Sequence, residues 1–346
     1  MKKIILLTVI LLSIIYVTPA SALLLPDPDS NVENIGSPGA PAAFLYGDFY
    51  SYSLPILSLD WSLGNYGDAN HVGPTNPFHV QSSAGQIQDD IVLGTGANGV
   101  PIYNNPVGMD DAFSTNTNDT SWGTPTATEP GGVEAFTGDQ AGTWDTSLSA
   151  LTTYLGRNDA DATNDSPLVF FWNNNEEGSG GPYSANQDLY GWARVSIIKS
   201  TDASAAMHFF VRDPASISPY YPPGADDWAL SPGRVCLSAV TGAIIDCTTK
   251  TPADYEINHN LGANQAVFAL YSKEIDLNLE AWILDGYDAM QVDFRIKDID
   301  NGYEQLFIKR IEGIDWNHNT VPEPASLLLL GSGLLGLAGF RRKRKI

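Results

Sequence analysis

"MQVDFRIKDIDNGYEQLFIKRI", residues 290–311, is the stretch that decides the fold class. Val292, Phe294 and Ile296 alternate with Asp293, Arg295 and Lys297, the two-residue period of a strand with one apolar and one polar face. Asn301-Gly302 is the pair that a type I′ hairpin turn favours, because both central residues of that turn take positive φ. Phe307 and Ile311 resume the inward set after the turn. The stretch therefore predicts an antiparallel hairpin in which Asp293 faces Arg310 as an opposite-charge pair.

Outward from it, the same texture continues. Short β-branched and aromatic runs between clusters of Gly, Pro, Asn, Asp, Ser and Thr predict strands at 43–52, 168–172, 189–198, 206–211, 235–239, 243–248, 266–271 and 277–284. One helix is predicted in "TWDTSLSALTTYLG" (143–156). Asp145 is placed to cap it, Leu148, Leu151 and Leu155 share a face, and Gly156 is placed to end it. Residues 103–143 read as long loops, and no repeat of fixed period is present. The expected fold is all-β: a two-layer β-sandwich, jelly-roll-like, with one short amphipathic helix and long loops.

The two ends read as addresses. Lys2 and Lys3 precede an apolar stretch from Ile4 to Val17, and Ala20-Ser21-Ala22 has the small-x-small form of a signal-peptidase site. Residues 1–22 are thus expected to be a signal peptide cut after Ala22, handled by the general secretion machinery and signal peptidase. At the other end, Ala325 to Phe340 carries no charge over 16 residues, about 24 Å of helix at ~1.5 Å per residue. That is short of a ~30 Å hydrocarbon core, and Arg341, Arg342, Lys343, Arg344 and Lys345 make up the difference by snorkelling. The positive-inside bias keeps those five in the cytoplasm and the rest outside. Pro322-Glu323-Pro324 stands just before this helix as a stiff, extended segment.

Motif, apolar helix and basic cluster, in that order across residues 321–346, resemble the PEP-CTERM sorting signal of Gram-negative exopolysaccharide producers. The resemblance implies recognition by an exosortase-type membrane transpeptidase. That enzyme would cut near Pro322 to Pro324, and the body, residues 23–320, would pass to the cell surface or extracellular matrix.

Charge narrows the partners. Seven of the 18 Lys+Arg residues lie in the two ends, leaving 11 in the rest of the chain, which holds all of the 40 Asp+Glu except Glu323. From Leu23 to Gly156 there is no Lys or Arg at all, against 15 Asp+Glu. Such a surface repels phosphate backbones and excludes nucleic acid as a partner. The only two Cys, Cys236 and Cys247, flank Thr241-Gly242 in an exported chain and are expected to form a cross-strand disulfide. A two-residue loop would make them a hydrogen-bonded pair, and a four-residue loop would make them the closer non-hydrogen-bonded kind.

Signatures of catalysis are missing from the sequence. There is no His-Glu-x-x-His, no phosphate-cradling Gly-x-x-x-x-Gly-Lys, and Gly331-Ser332-Gly333 lies inside the apolar tail. His208 alternates with apolar neighbours as a sheet histidine does. Glu176-Glu177 is the place to look for a glycosidase acid pair, which has no short-range signature, although a solvated loop explains it as well. Asp159, Asp161, Asn164 and Asp165 offer hard oxygen ligands suited to calcium, without the spacing of an EF-hand. Trp122, Tyr183, Tyr220, Tyr221 and Trp228 lie in predicted loops, where rings beside Asn and Asp suit stacking on sugars.

The expected function is that of an exported, non-enzymatic surface or matrix protein associated with exopolysaccharide or biofilm. The alternatives are a secreted polysaccharide-active hydrolase with its acid pair hidden in the fold, and an ice- or surface-adhesion module.

Overall fold

A computed structural model describes residues 23–28, 43–83, 87, 89–96, 105–115, 121–125, 138–158, 165–175, 188–216, 221–299, 304–311 and 313–315. The first half supplies β1 (Leu24–Pro26), β2 (Ala43–Tyr46), β3 (Phe49–Ser53), α1 (Leu54–Tyr66), β4 (Ile91–Gly96), β5 (Phe113–Thr115), β6 (Ser121–Gly123), β7 (Trp144–Ser147), α2 (Leu148–Leu155) and β8 (Val169–Asn173). The second half supplies β9 (Leu189–Lys199), β10 (Asp202–Val211), β11 (Ala229–Ser231), β12 (Arg234–Leu237), β13 (Ile244–Ile245), β14 (Tyr255–Asn258) and β15 (Phe268–Tyr271). After these come α3 (Lys273–Leu284), β16 (Ala289–Lys297), β17 (Gln305–Ile308) and β18 (Gly313–Asp315).

Two large sheets face each other. One runs β2-β3-β15-β8-β17-β4-β5; the other runs β10-β9-β16-β6, with β11 beside β9 and β7 beside β16. Alternation sends Val195 and Ile197 of β9 and Val292, Phe294 and Ile296 of β16 into the gap, where they meet Phe170 and Trp172 of β8 and Leu306 and Ile308 of β17. The seven-stranded sheet is buried on its far side too. There Tyr52, Val169, Phe171, Tyr271 and Phe307 lie under Leu23, Leu25, Leu54, Leu57 and Val80. A small sheet, β13-β12-β14, closes against α1 through Ile56, Leu59, Leu237 and Ile257. β1 and β18 pair in parallel and bring the two ends of the described chain together.

The mostly-β class holds, with three α-helices among the described residues where one was expected in the body. The hairpin at 290–311 does not form. β16 has β9 along one edge and β7 and β6 along the other, so neither edge is open to β17. β17 instead lies between β8 and β4 in the opposite sheet, and the chain crosses between layers after Lys297, with Asp298 at φ 66°. Asn301-Gly302 lies outside the described residues. Asp293 faces Arg194 rather than Arg310, and its carboxylate takes two hydrogen bonds from the Arg295 guanidinium at 3.0 and 2.7 Å and one from Thr124 at 3.1 Å.

Residues 277–284 are part of α3, not a strand. The alternation Ile275, Leu277, Leu279 mimics a strand. The buried positions, however, are Ile275 and Leu279, four apart, while Leu277 and Leu284 are 59% and 88% exposed. The strand expected at 43–52 is the hairpin β2–β3, turned at Gly47 with φ 65°. α1 follows it directly, with Ser53 accepting from the Ile56 N–H at 3.4 Å, a proline in its first turn and Gly67 left-handed at its end. The predicted helix is α2. It is capped by Ser147, which accepts from Ala150 N at 3.2 Å, because Asp145 is still in β7; Gly156 ends it with φ 81°.

Cys236 and Cys247 are joined, with 5.2 Å between their Cα atoms. The register differs from the expected one: Cys236 faces Ile245, Leu237 faces Ile244, and Ser238 N donates to Ala243 O at 2.9 Å. Cys247 therefore reaches back from beyond the end of β13.

Among the described residues no helix is long and apolar enough to cross a membrane. Ala20, Ala22, the helix expected at 325–340, Pro322, Glu323, Pro324 and the basic residues 341–345 lie outside them.

One buried ion pair ties α2 to α3. Arg157, just past α2, bonds the Asp276 carboxylate, donates to the Asp276 carbonyl at 3.0 Å and to Glu280 at 3.0 Å, and gives its Nε–H to Ser166 O at 2.8 Å. Asp276 also accepts from Leu168 N at 2.8 Å and from the Tyr271 hydroxyl at 3.2 Å. Removing the cation strands a buried carboxylate. Arg157→Ala is expected to cost about 3–5 kcal/mol of unfolding free energy, measured by urea denaturation.

Candidate functional site

The inter-sheet gap is filled at one end and hollow at the other. Trp144, Leu148, Leu151, Leu155 and Met290 pack the first end. Towards the other, the inward positions are small: Ser51 and Ser53 on β3, Gly191 and Ala193 on β9, Ala229 on β11. These residues line a cavity of about 490 Å³ whose remaining walls are largely apolar, among them Trp172, Phe268, Leu270 and Ile296. The disulfide-linked sheet contributes Val235, Cys236, Ile244 and Cys247 to one side.

A buried Ser–His pair stands in the wall. His259 follows β14 and gives its Nδ1–H to the Pro232 carbonyl at 3.0 Å, because a carbonyl can only accept. In the neutral ring Nε2 then accepts, and the Ser53 hydroxyl donates to it at 2.8 Å. Burial pushes the imidazole down to about 4, against the opposing pull of the Pro232 carbonyl. The arrangement has the outline of a nucleophile–base pair at a helix N-terminus. The nearby N–H groups are already engaged, Leu54 N with Val267 O at 2.9 Å and Ile56 N with Ser53 itself. Ser53 and His259 lie 206 residues apart, so no local motif could have signalled them.

The far face of the six-stranded sheet has a different character. Tyr190, Trp192 and Arg194 of β9 stand beside Arg295 and Lys297 of β16, with Tyr221 and Trp228 laid over them. The Arg194 guanidinium sits 3.6 Å from the Tyr221 ring centre. Arg295 lies 5.4 Å from Trp192, and Lys297 lies between Tyr190 at 5.0 Å and Trp228 at 4.5 Å. Of the rings singled out in the sequence, Tyr221 is 52% exposed and Trp228 half-buried on this face, whereas Trp122 is buried in the core. Tyr183 and Tyr220 lie outside the described residues.

Of the calcium ligands read from the sequence, Asp159, Asp161 and Asn164 lie outside the described residues, as do Glu176 and Glu177; Asp165 is exposed. A different set comes together. One carboxylate oxygen from each of Asp110, Asp139 and Asp145 lies within 4.8 Å of the others, a spacing and donor type that could hold a hard cation. Asp110 also accepts from Asp145 N at 2.7 Å, and Asp145 from Gln140 N, so these carboxylates fasten their loops to β7. His208 is a sheet histidine on the outer face, 2.9 Å from the Ser196 hydroxyl.

Residues 33–295 match the family described as Domain of unknown function (DUF8239). The chain belongs to the DUF8239 family. Residues 320–344 match the PEP-CTERM protein-sorting motif, so this DUF8239 protein is exported, sorted to the cell surface and processed by an exosortase-type enzyme. No curated protein and no solved structure matches the chain. The DUF8239 match stops inside β16, yet β17, beyond it, is an interior strand of the seven-stranded sheet, between β8 and β4.

His259 makes a pH signature. An imidazole free in the unfolded chain takes its proton near 6.5, whereas the folded one resists until about 4. Between those values the unfolded state binds more protons, so His259 lowers stability as pH falls through this window. Unfolding free energy is expected to drop from pH 6.5 to 4 more steeply in the native protein than in His259→Gln, read from denaturation at a series of pH values.

Proposed function

We propose that this protein is a non-enzymatic component of the outer surface or exopolysaccharide matrix of a Gram-negative bacterium, and that its body holds uronate-bearing polysaccharide on the outer face of the six-stranded sheet. The observation that carries the reading is the clustering of Arg194, Arg295 and Lys297 over aromatic rings on two adjacent strands. The chain as a whole has a formal net charge of −22. An acidic polymer is repelled by most of such a surface and steered to this face, where Arg194 and Lys297 stand beside Arg295, whose charge Asp293 balances. Rings suit the apolar faces of sugars, and Lys and Arg suit their hydroxyls and carboxylates.

The engagement of the N–H groups beside Ser53 supports binding over catalysis in the pocket, since an oxyanion would find those donors in use. Sorting by a PEP-CTERM signal supports a task outside the cell. The general secretion machinery and signal peptidase would handle the chain first.

Titration of the exported protein with alginate is expected to show saturable binding that weakens with salt, with neutral dextran bound less well. Lys297→Ala and Trp228→Ala should each weaken alginate binding about tenfold, the loss of one charge-assisted or stacking contact. No reducing ends should be released. Absence of saturable binding, variants that bind like the native protein, or cleavage of the polymer would each refute the reading.

A further inference from the structure

The hollow end of the sandwich is too large to be a packing flaw. Protein interiors are close-packed and hold few voids larger than a water molecule. This one, about 490 Å³, falls within the ~300–1,000 Å³ typical of small-molecule sites. Its origin is legible residue by residue. Ser51, Ser53, Gly191, Ala193 and Ala229 occupy inward positions where the filled end carries Leu, Ile, Met and Trp. A Cβ placed on Gly191 would meet nothing within 4 Å. Leaving such a space empty forfeits dispersion contacts along its whole lining.

The chemistry of the walls selects the occupant. Cavities lined by apolar groups stay dry, because water finds no partners there. The main polar wall groups, Ser53 and His259, are bonded to each other and to Pro232. An aliphatic chain fits this interior. Three of the exposed large apolar residues of the described chain, Phe44, Leu230 and Ile244, also line the cavity at 39%, 39% and 45% exposure, an apolar approach from solvent.

Arg234 also lines the cavity. The Arg234 side chain is 37% exposed and reaches Glu256 only at 3.6 Å, while Lys250 holds that carboxylate at 3.0 Å. Guanidinium donors are therefore available beside an apolar entrance in a strongly acidic protein.

We propose that this cavity binds a long-chain aliphatic carboxylate, a fatty-acid-like amphiphile with its chain between the sheets and its carboxylate on Arg234. The site lies on the opposite side of the six-stranded sheet from the polysaccharide face and stands or falls separately from it.

The test uses the exported protein and the probe dansyl-undecanoic acid. Saturable binding of one probe per chain with blue-shifted emission is expected, displaced by palmitate. Gly191→Leu fills the hollow without forcing a special backbone conformation. It should abolish probe binding while leaving circular dichroism and thermal midpoint unchanged; if it unfolds, Ala229→Leu serves the same purpose. Arg234→Gln should weaken competition by palmitate about tenfold, the loss of one charge-assisted contact, and leave competition by hexadecanol unaltered. Absence of saturable binding, or a folded filling variant that binds like the native protein, would overturn the site. Equal effects of Arg234→Gln on palmitate and hexadecanol would overturn the assignment of the carboxylate to Arg234.

Discussion

The two large sheets can approach each other only because Gly94 has no side chain. A Cβ there would lie 2.6 Å from the Trp122 ring and 2.7 Å from Phe294, both buried. The ladder accommodates the approach with a register shift, since Leu306 faces Gly94 while Phe307 faces Val92. Trp122 also lies 6.2 Å from Trp172 across the gap. Close contact at this point sets the spacing of the layers. With the spacing fixed, the small residues around Gly191 cannot be compensated by collapse, and the other end stays open. Filled and hollow ends are two consequences of one constraint.

How much of this was legible in the sequence depends on whether the signal was local. The helix at 148–155 was readable because its apolar face and its glycine stop lie within one short window, whereas its cap was misread as Asp145, which lies in a strand. The cysteine pair was readable for the same reason, although its register was not. The hairpin at 290–311 misled because alternation and a turn-forming pair say nothing about whether a strand's edges are already taken. The unbroken apolar run Leu306-Phe307-Ile308 carried the better clue: such a run belongs to a strand covered on both faces, and Gln305 to Ile308 are all buried. α3 misled because Ile-Asp-Leu-Asn-Leu fits period two as well as period four over five residues. The pocket was not legible at all. It is made of what is missing at Gly191, Ala193, Ser51 and Ser53, and small residues carry no periodic mark.

The fold and the address are separable. β18 ends at Asp315, and the sorting motif begins at residue 320, so every described strand lies before the motif. Leu23 and Leu25, just past the predicted signal-peptide cut, are buried in the second apolar layer. The pairing of β1 with β18 sets Leu24–Pro26 beside Gly313–Asp315, the last described strand before the sorting motif.

The claim that one close approach fixes the layer spacing is tested most directly by adding a single methyl group at the close approach and another in the hollow. Unfolding free energies of Gly94→Ala and Gly191→Ala, measured side by side in urea, should differ sharply. Overpacking beneath Trp122 and Phe294 should cost about 1–3 kcal/mol, while the methyl group at Gly191 should change stability by no more than about 0.5 kcal/mol. Equal effects at the two positions would contradict the account.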